Sequence, residues 1–436
     1  MGILLDDVVL IRPSEKHDEP SVITVNCPDK TGLGCDLCRV ILFFGLNIVR
    51  GDVTTDGKWC YIVLWVTGNS STRWGLLKQR LVEVCPSCYS AATLVYFRPE
   101  PQSSKPSDMF LLKFCCHDRR GLLHDVTSVL CELELLIEKV KVSTTPDGKV
   151  MDLFFIIDTS TSFPFYHFAV SILFPLPKTY FHFCVSIREL MHTTKRQRDT
   201  CDHLKHVLGD AMISCEIEMI GAEVMLCSQA SSLPSEIAKE PDLNENSPTT
   251  SSGAKDVSVT LDNSLSPSHT LVQIVCQDHK GLIYDIMRTL KDYNIQISYG
   301  RFNKKERRSC EIDLFIVQAD GKKILDQSKQ NVLSTRLQME LIHPLRVTVL
   351  SRGPDTELLV ANPTELSGKG RPLVFYNITL ALKLLDIGIF LAEIRRYLIG
   401  DQEWEVYRVM LDEGAGSSVP RNKIKDGVRK MLMGWV

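Results

Sequence analysis

Three segments repeat one arrangement of acidic, small and apolar residues. Residues 22–37 read VITVNCPDKTGLGCDL, residues 111–126 read LLKFCCHDRRGLLHDV, and residues 271–286 read LVQIVCQDHKGLIYDI. Each has an apolar run followed by Asp-x-x-Gly-Leu-x-x-Asp. Asp29, Gly32, Leu33 and Asp36 thus match Asp118, Gly121, Leu122 and Asp125, and match Asp278, Gly281, Leu282 and Asp285 again. A strand that ends in such a loop suits a small zwitterion or anion. The glycine allows a tight turn or a close backbone approach. The free N–H groups of a helix starting behind it attract a carboxylate. The first Asp can accept from a ligand ammonium, or it can simply cap the helix. The second Asp falls in the first or second helical turn, where the dipole favours a negative charge. Asn47 and Asn294 open the following strand in two copies, with Leu136 in that place in the other. An Asn there either bonds a ligand or bridges the helix–strand turn.

The elements that must position these residues also repeat. Each motif runs into a stretch with apolar residues at three- and four-residue spacing, such as CDLCRVILFFG, which predicts a helix. Two alternating runs follow, joined at Asp56-Gly57 in the first copy and Asp147-Gly148 in the second. Asp-Gly between such runs marks a hairpin. A second helix (TRWGLLKQRLVEVC) and a last strand (SAATLVYF) close the first unit. The expected fold is α+β, a tandem array of ferredoxin-like βαββαβ units with two helices on one face of each sheet.

The units fall at 20–100, 108–220 and 269–343, with a degenerate fourth at 344–436. In the fourth, RVTVLSRG reads as the strand before the loop, Gly370 as the motif glycine and Asn377 as the second Asp. The first Asp has no clear equivalent. Residues 221–268, rich in Ser, Pro, Asn and Glu, read as a disordered linker. Residues 160–187 interrupt the second unit. They hold six of the 17 Phe and one charged residue, Lys178. A loop at this place should be polar. The segment reads as a translated intron, with a hydrophobic docking loop or a membrane-dipping hairpin as alternatives. Transcript sequencing across the junction that shows the segment in mature, abundant messages rules out the intron reading.

The Asp-x-x-Gly-Leu loop within such a unit resembles the ACT domain. Four copies without another domain resemble the plant ACT-domain repeat proteins, in particular members that start MGIL and carry VNCPDKTGLGCDLCR and KDYNIQISYGRF. The loops are also similar to the C-terminal ACT pair of bacterial uridylyltransferase nitrogen sensors. The resemblance implies amino-acid binding where two units meet, and a regulatory sensor, not an enzyme. It implies ligand contacts from Asp29, Gly32, Leu33 and Asn47, from Asp118, Gly121 and Leu122, and from Asp278, Gly281, Leu282 and Asn294. It implies no cofactor. The expected partners are a small-molecule amino acid and another copy of the chain or another ACT protein. The alternative is a structural scaffold that pairs with such proteins without a ligand.

Composition and motif searches agree with a non-catalytic reading. Fifty Lys+Arg balance 53 Asp+Glu, for a net charge of -3. That argues against a nucleic-acid or anionic-membrane surface. There is no P-loop, Gly-x-Gly-x-x-Gly after a strand, His-Glu-x-x-His or Gly-x-Ser-x-Gly. Cys35 and Cys38 sit in a predicted helix, Cys85 and Cys88 lie far from them, and His203 and His206 lack companions, so no metal site is expected. Only a few apolar residues precede Asp6 and Asp7, without the basic start of a secretory signal, so none is expected, and no run of about 20 apolar residues suggests a membrane span. The 15 Cys then read as reduced thiols in the cytosol, or also the nucleus.

Overall fold

The computed structural model describes residues 8–16, 19–68, 72–86, 108–145, 147–158, 191–220, 237, 257–305, 309–399, 402–412 and 419–434. The 160–187 segment, the strand expected at SAATLVYF and nearly all of the stretch 221–256 lie outside the described residues.

Unit 1 contains β1 (Val9–Arg12), β2 (Ser21–Pro28), α1 (Leu33–Phe43), β3 (Asn47–Thr55), β4 (Trp59–Thr67) and α2 (Trp74–Val84). Unit 2 contains β5 (Met109–His117), α3 (Leu122–Glu132), β6 (Leu135–Thr144), β7 (Lys149–Asp158), α4 (Thr194–Leu208) and β8 (Met212–Ile220). Unit 3 contains β9 (Ser258–Asp262), β10 (Thr270–Gln277), α5 (Leu282–Asp292), β11 (Ile295–Lys304), β12 (Ser309–Gln318) and α6 (Gln327–Ile342). Unit 4 contains β13 (Arg346–Arg352), β14 (Asp355–Pro363), α7 (Val374–Leu384), β15 (Gly388–Ile399), β16 (Gln402–Asp412) and α8 (Arg421–Met433).

The expected βαββαβ order holds in unit 2, where β8 closes the sheet beside β5. In units 1, 3 and 4 the strand in that place comes first in the chain. β1 pairs with β2, β9 with β10, and β13 with β14. The spatial order within the unit is unchanged, because any antiparallel strand beside the motif strand satisfies its free edge. Two expectations change as a result. Residues 258–262, assigned by composition to the linker, form β9, and Val259 is buried in the core. RVTVLSRG is the edge strand β13, and the strand before the fourth loop is β14.

The units pair side by side. β3 runs antiparallel to β11, so units 1 and 3 share an eight-stranded sheet. β6 runs antiparallel to β15, so units 2 and 4 share the other. Inward residues alternate as a half-buried strand requires. In β2, Ser21, Ile23, Val25 and Cys27 are buried. One continuous apolar core runs under each pair. The first joins Ile23, Leu37 and Leu64 to Ile274, Ile286 and Leu314, and the second joins Leu112, Val126 and Phe154 to Val360, Ile378 and Val409. Across the pairs, Arg80 of α2 grips Glu134 with Nε at 2.9 Å and Nη2 at 3.0 Å.

Candidate functional site

Each motif glycine is the residue before its helix and has a left-handed backbone. φ is 80° at Gly32, 76° at Gly121 and 85° at Gly281. An L side chain there costs about 1–2 kcal/mol, so glycine suits the turn. None of these helices has a side-chain cap, so the first Asp is not a helix cap. Asp29 instead accepts from Thr55 Oγ1 at 2.8 Å, and Asp278 pairs with Lys304 at 2.6 Å. Asp36, Asp125 and Asp285 lie in the first helical turns, as their spacing predicts.

The fourth loop aligns differently from its sequence reading. Its left-handed residue before the helix is Leu373, with φ 61°, and Asn377 follows four residues later. Leu373 therefore stands in the glycine's place and Gly370 in that of the first Asp. The insertion before the loop shifts the register and hides this from a motif comparison. The two asparagines also separate. Asn294 has φ 54° and matches the left-handed Gly45, Glu134 and Asp386 in the helix–strand turns. Gln296, not Asn294, matches Asn47. Neither asparagine lines the two pockets described next.

In the first pocket, Asp29, Gly32 and Leu33 of unit 1 face Lys291, Ile295 and Gln296 of unit 3. In the second, Asp118, Gly121 and Leu122 of unit 2 face Lys383, Ile387 and Ile389 of unit 4. Both pockets thus use the loop of one unit and the helix end of its partner. Both place a lysine across the glycine. A Cβ on Gly32 would lie 2.7 Å from Lys291 Cδ, and one on Gly121 would lie 2.9 Å from Lys383 Cδ. Lys291 Nζ is 3.0 Å from Asp36, and Lys383 Nζ is 2.6 Å from Asp125. Burial alone would raise both carboxyls. Lys30 and Lys291 outweigh it at Asp36, and Lys383 and Arg119 outweigh it at Asp125, so both are held below the ordinary carboxylate range. The lysines were not singled out in the sequence. Each is the tenth residue of an eleven-residue helix, and Leu42 and Cys131 stand there in units 1 and 2.

The Asp278-Gly281-Leu282 loop is not joined to an equivalent lysine. The Arg371 guanidinium of unit 4 lies over Gly281 and reaches Asp285 at 3.4 Å, where His279 Nε2 also sits at 2.8 Å. The neighbouring Glu365 enters between α1 and α5. It accepts from Arg39, from Lys291 at 2.9 Å, from Tyr284 at 3.3 Å and from Ser367 at 2.9 Å. Burial pushes its carboxyl up, but Arg39, Lys291 and Ser367 outweigh that and leave it below its ordinary value.

The remaining chemistry-bearing residues are structural in their surroundings. Cys35 and Cys38 are buried in α1, and burial pushes the Cys38 thiol up to about 12. His203 lies 3.7 Å from Glu132. Among the described residues no cluster of three or more His, Cys, Asp or Glu is arranged to hold a metal ion, and no helix is long and apolar enough to cross a membrane.

Four α+β units, joined in pairs through their sheets and carrying glycine loops against partner helices, define an ACT-domain repeat protein. The chain belongs to the plant ACT-domain repeat (ACR) family. Residues 11–86 match the model for the N-terminal region of ACT domain-containing protein ACR10, residues 258–355 the ACR9-like ACT-like domain, and residues 356–434 the C-terminal region of ACR9. The chain is 56% identical over 441 residues to ACR10 of Arabidopsis thaliana, covering 100% of both chains. It is 49% identical over 442 residues to ACR9 of the same plant, again covering 100% of both. A bifunctional uridylyltransferase/uridylyl-removing enzyme of Phenylobacterium zucineum is 30% identical over 101 residues, which is 23% of this chain and 11% of that enzyme.

Proposed function

We propose that this protein is a non-catalytic amino-acid sensor of the cytosol, with its ligand seats at the loops of units 1 and 2. The observation that carries the reading is the repeated arrangement of loop glycine, first-turn Asp and partner lysine at both junctions. An α-carboxylate suits the lysine and the first-turn N–H groups. An α-ammonium suits the loop Asp. A ligand between two units stabilises their paired arrangement, and so can change the affinity for a partner protein. Titration calorimetry and thermal shift with the twenty amino acids test this. Stabilisation that is lost in Lys291→Met or Lys383→Met supports it. No stabilisation by any of them at millimolar concentration removes it.

A scaffold reading is favoured by one observation, the closure of the unit 3 loop by Arg371. There the loop holds another part of the chain. The scaffold reading expects capture of a second copy, or of another ACT protein, that survives Asp29→Ala, Asp118→Ala and Asp278→Ala together.

A further inference from the structure

We infer that the pocket between units 2 and 4 takes an amino acid with a cationic side chain, and that Asp152 at its floor receives that cation. The inference rests on the amino-acid-binding reading above and assigns the ligand class of one of its two seats.

The argument begins with strand register. Cys27 faces Cys60 in unit 1, and two residues on lies Ile62. Cys276 faces Cys310 in unit 3, and two residues on lies Ile312. Cys116 faces Val150 in unit 2, and two residues on lies Asp152. A position filled by buried isoleucine in two units therefore holds a carboxylate in the third. Asp152 is 1% exposed, and neither carboxylate oxygen has a hydrogen-bond partner. A buried carboxylate without a donor is strongly unfavourable and is kept when something else pairs with it.

Among the described residues none supplies such a cation. Asp152 lines the pocket with Asp118, Arg119, His124 and Lys383. Arg119 and Lys383 each pair with Asp125, both at 2.6 Å. His124 meets Thr379 at 3.4 Å, and burial together with nearby Lys383 holds its imidazole below the ordinary histidine value. Asp118 adds a second negative group, and its carboxyl is raised by burial and by Asp412. A shallow cleft that opens to solvent lies among these residues. Its charges suit a ligand that places its α-carboxylate near Lys383 and, once the lining side chains part to admit it, its ammonium or guanidinium between Asp118 and Asp152. In the unit 1 pocket Ile62 stands at the floor, so that seat suits a neutral side chain.

Burial and Asp118 raise the Asp152 carboxyl well above its ordinary value. A ligand cation beside it favours the ionised form and draws the carboxyl back down. Affinity for a basic amino acid rises with pH as a result.

Calorimetry on the full chain compares L-lysine and L-arginine with L-norleucine, which has lysine's carbon chain without its ammonium. The expected result is binding of lysine or arginine about 10- to 100-fold tighter than norleucine. Asp152→Ile and Asp152→Asn abolish that preference. Asp152→Ile also raises the thermal midpoint, which shows that it folds. Equal binding of norleucine and lysine by Lys291→Met, in which the neutral unit 1 seat is disabled, overturns the inference, as does a lysine preference that survives Asp152→Ile. Binding of neutral amino acids alone removes this inference and leaves the sensor reading standing. Binding of none removes both.

Discussion

The two pockets share a scaffold and differ in what surrounds it. In both, a left-handed glycine lets a partner lysine lie across the loop and meet the first-turn Asp. Lys291 is then shared with Glu365, which arrives from unit 4, whereas Lys383 serves Asp125 at a more open surface. The Lys291 side chain is 22% exposed and that of Lys383 is 42% exposed. The floor is Ile62 in one and Asp152 in the other. Local geometry therefore repeats because the backbone demands it, while charge and connection are free to diverge. The unit 1 pocket is wired into the contact between the two sheets, and among the described residues the unit 2 pocket is not.

The largest expected effect breaks that wiring. Glu365→Ala leaves Arg39 and Lys291 facing a buried gap. It should cost about 3–5 kcal/mol in denaturant unfolding, as removal of one partner of a buried ion pair does. The loss should be much smaller for Glu138→Ala, whose partner Arg396 is half-exposed.

The glycine comes next. Gly32→Ala forces a side chain into a left-handed backbone and against Lys291, and should cost about 2–3 kcal/mol. Gly45→Ala is the control. It has φ 71° but nothing within 4 Å of its Cβ, so it should cost about 1–2 kcal/mol. Equal losses from the two variants, measured by thermal unfolding, would show that the lysine gives way without cost.

Removing the lysines sharpens the comparison. Lys291→Met strips a donor from both Asp36 and Glu365 and should lower stability by about 1–2 kcal/mol. Lys383→Met acts at an exposed pair and should cost less than about 1 kcal/mol. Chemical denaturation of the two variants side by side decides this.

The smallest effect is in pH. Asp36 and Glu365 have depressed carboxyls, so their contribution is present above the ordinary carboxylate range and fades as pH falls through their folded values, below about pH 4. Asp152 has the opposite sign. Its raised carboxyl makes the native state the better proton binder, so its part of stability falls as pH rises above about 4. Stability profiles between pH 3 and 7 should therefore lose slope at the acid end in Glu365→Gln and at the neutral end in Asp152→Ile.

Much of this arrangement was legible in the residues. The repeated Asp-x-x-Gly-Leu-x-x-Asp located three loops, three helix starts and the left-handed glycines. The Asp-Gly pairs at 56–57 and 147–148 marked two hairpins, with Gly57 at φ 86° and Gly148 at φ 74°. These signals are local, since a positive φ or a helical face is required by neighbours within a few residues. The fourth loop escaped because its left-handed position carries Leu373, which removes the signal that marked the others. β9 escaped because a five-residue edge strand inside a polar stretch has little pattern of its own.

The sequence by itself determined the unit, its α+β class, its fourfold repetition and its family. It also marked the loop residues Asp29, Asp118 and Asp278, but neither partner lysine nor Asp152. Only the tertiary structure decided that unit 1 joins unit 3 and unit 2 joins unit 4, because β3–β11 and β6–β15 pairing depends on backbone edges that carry no local code. The same packing brought Lys291 and Lys383 to their loops and Arg371 to Gly281. It also buried Asp152 without a hydrogen-bond partner among the described residues. Each of these contacts joins residues far apart in the chain, and their energy exists once the units have met.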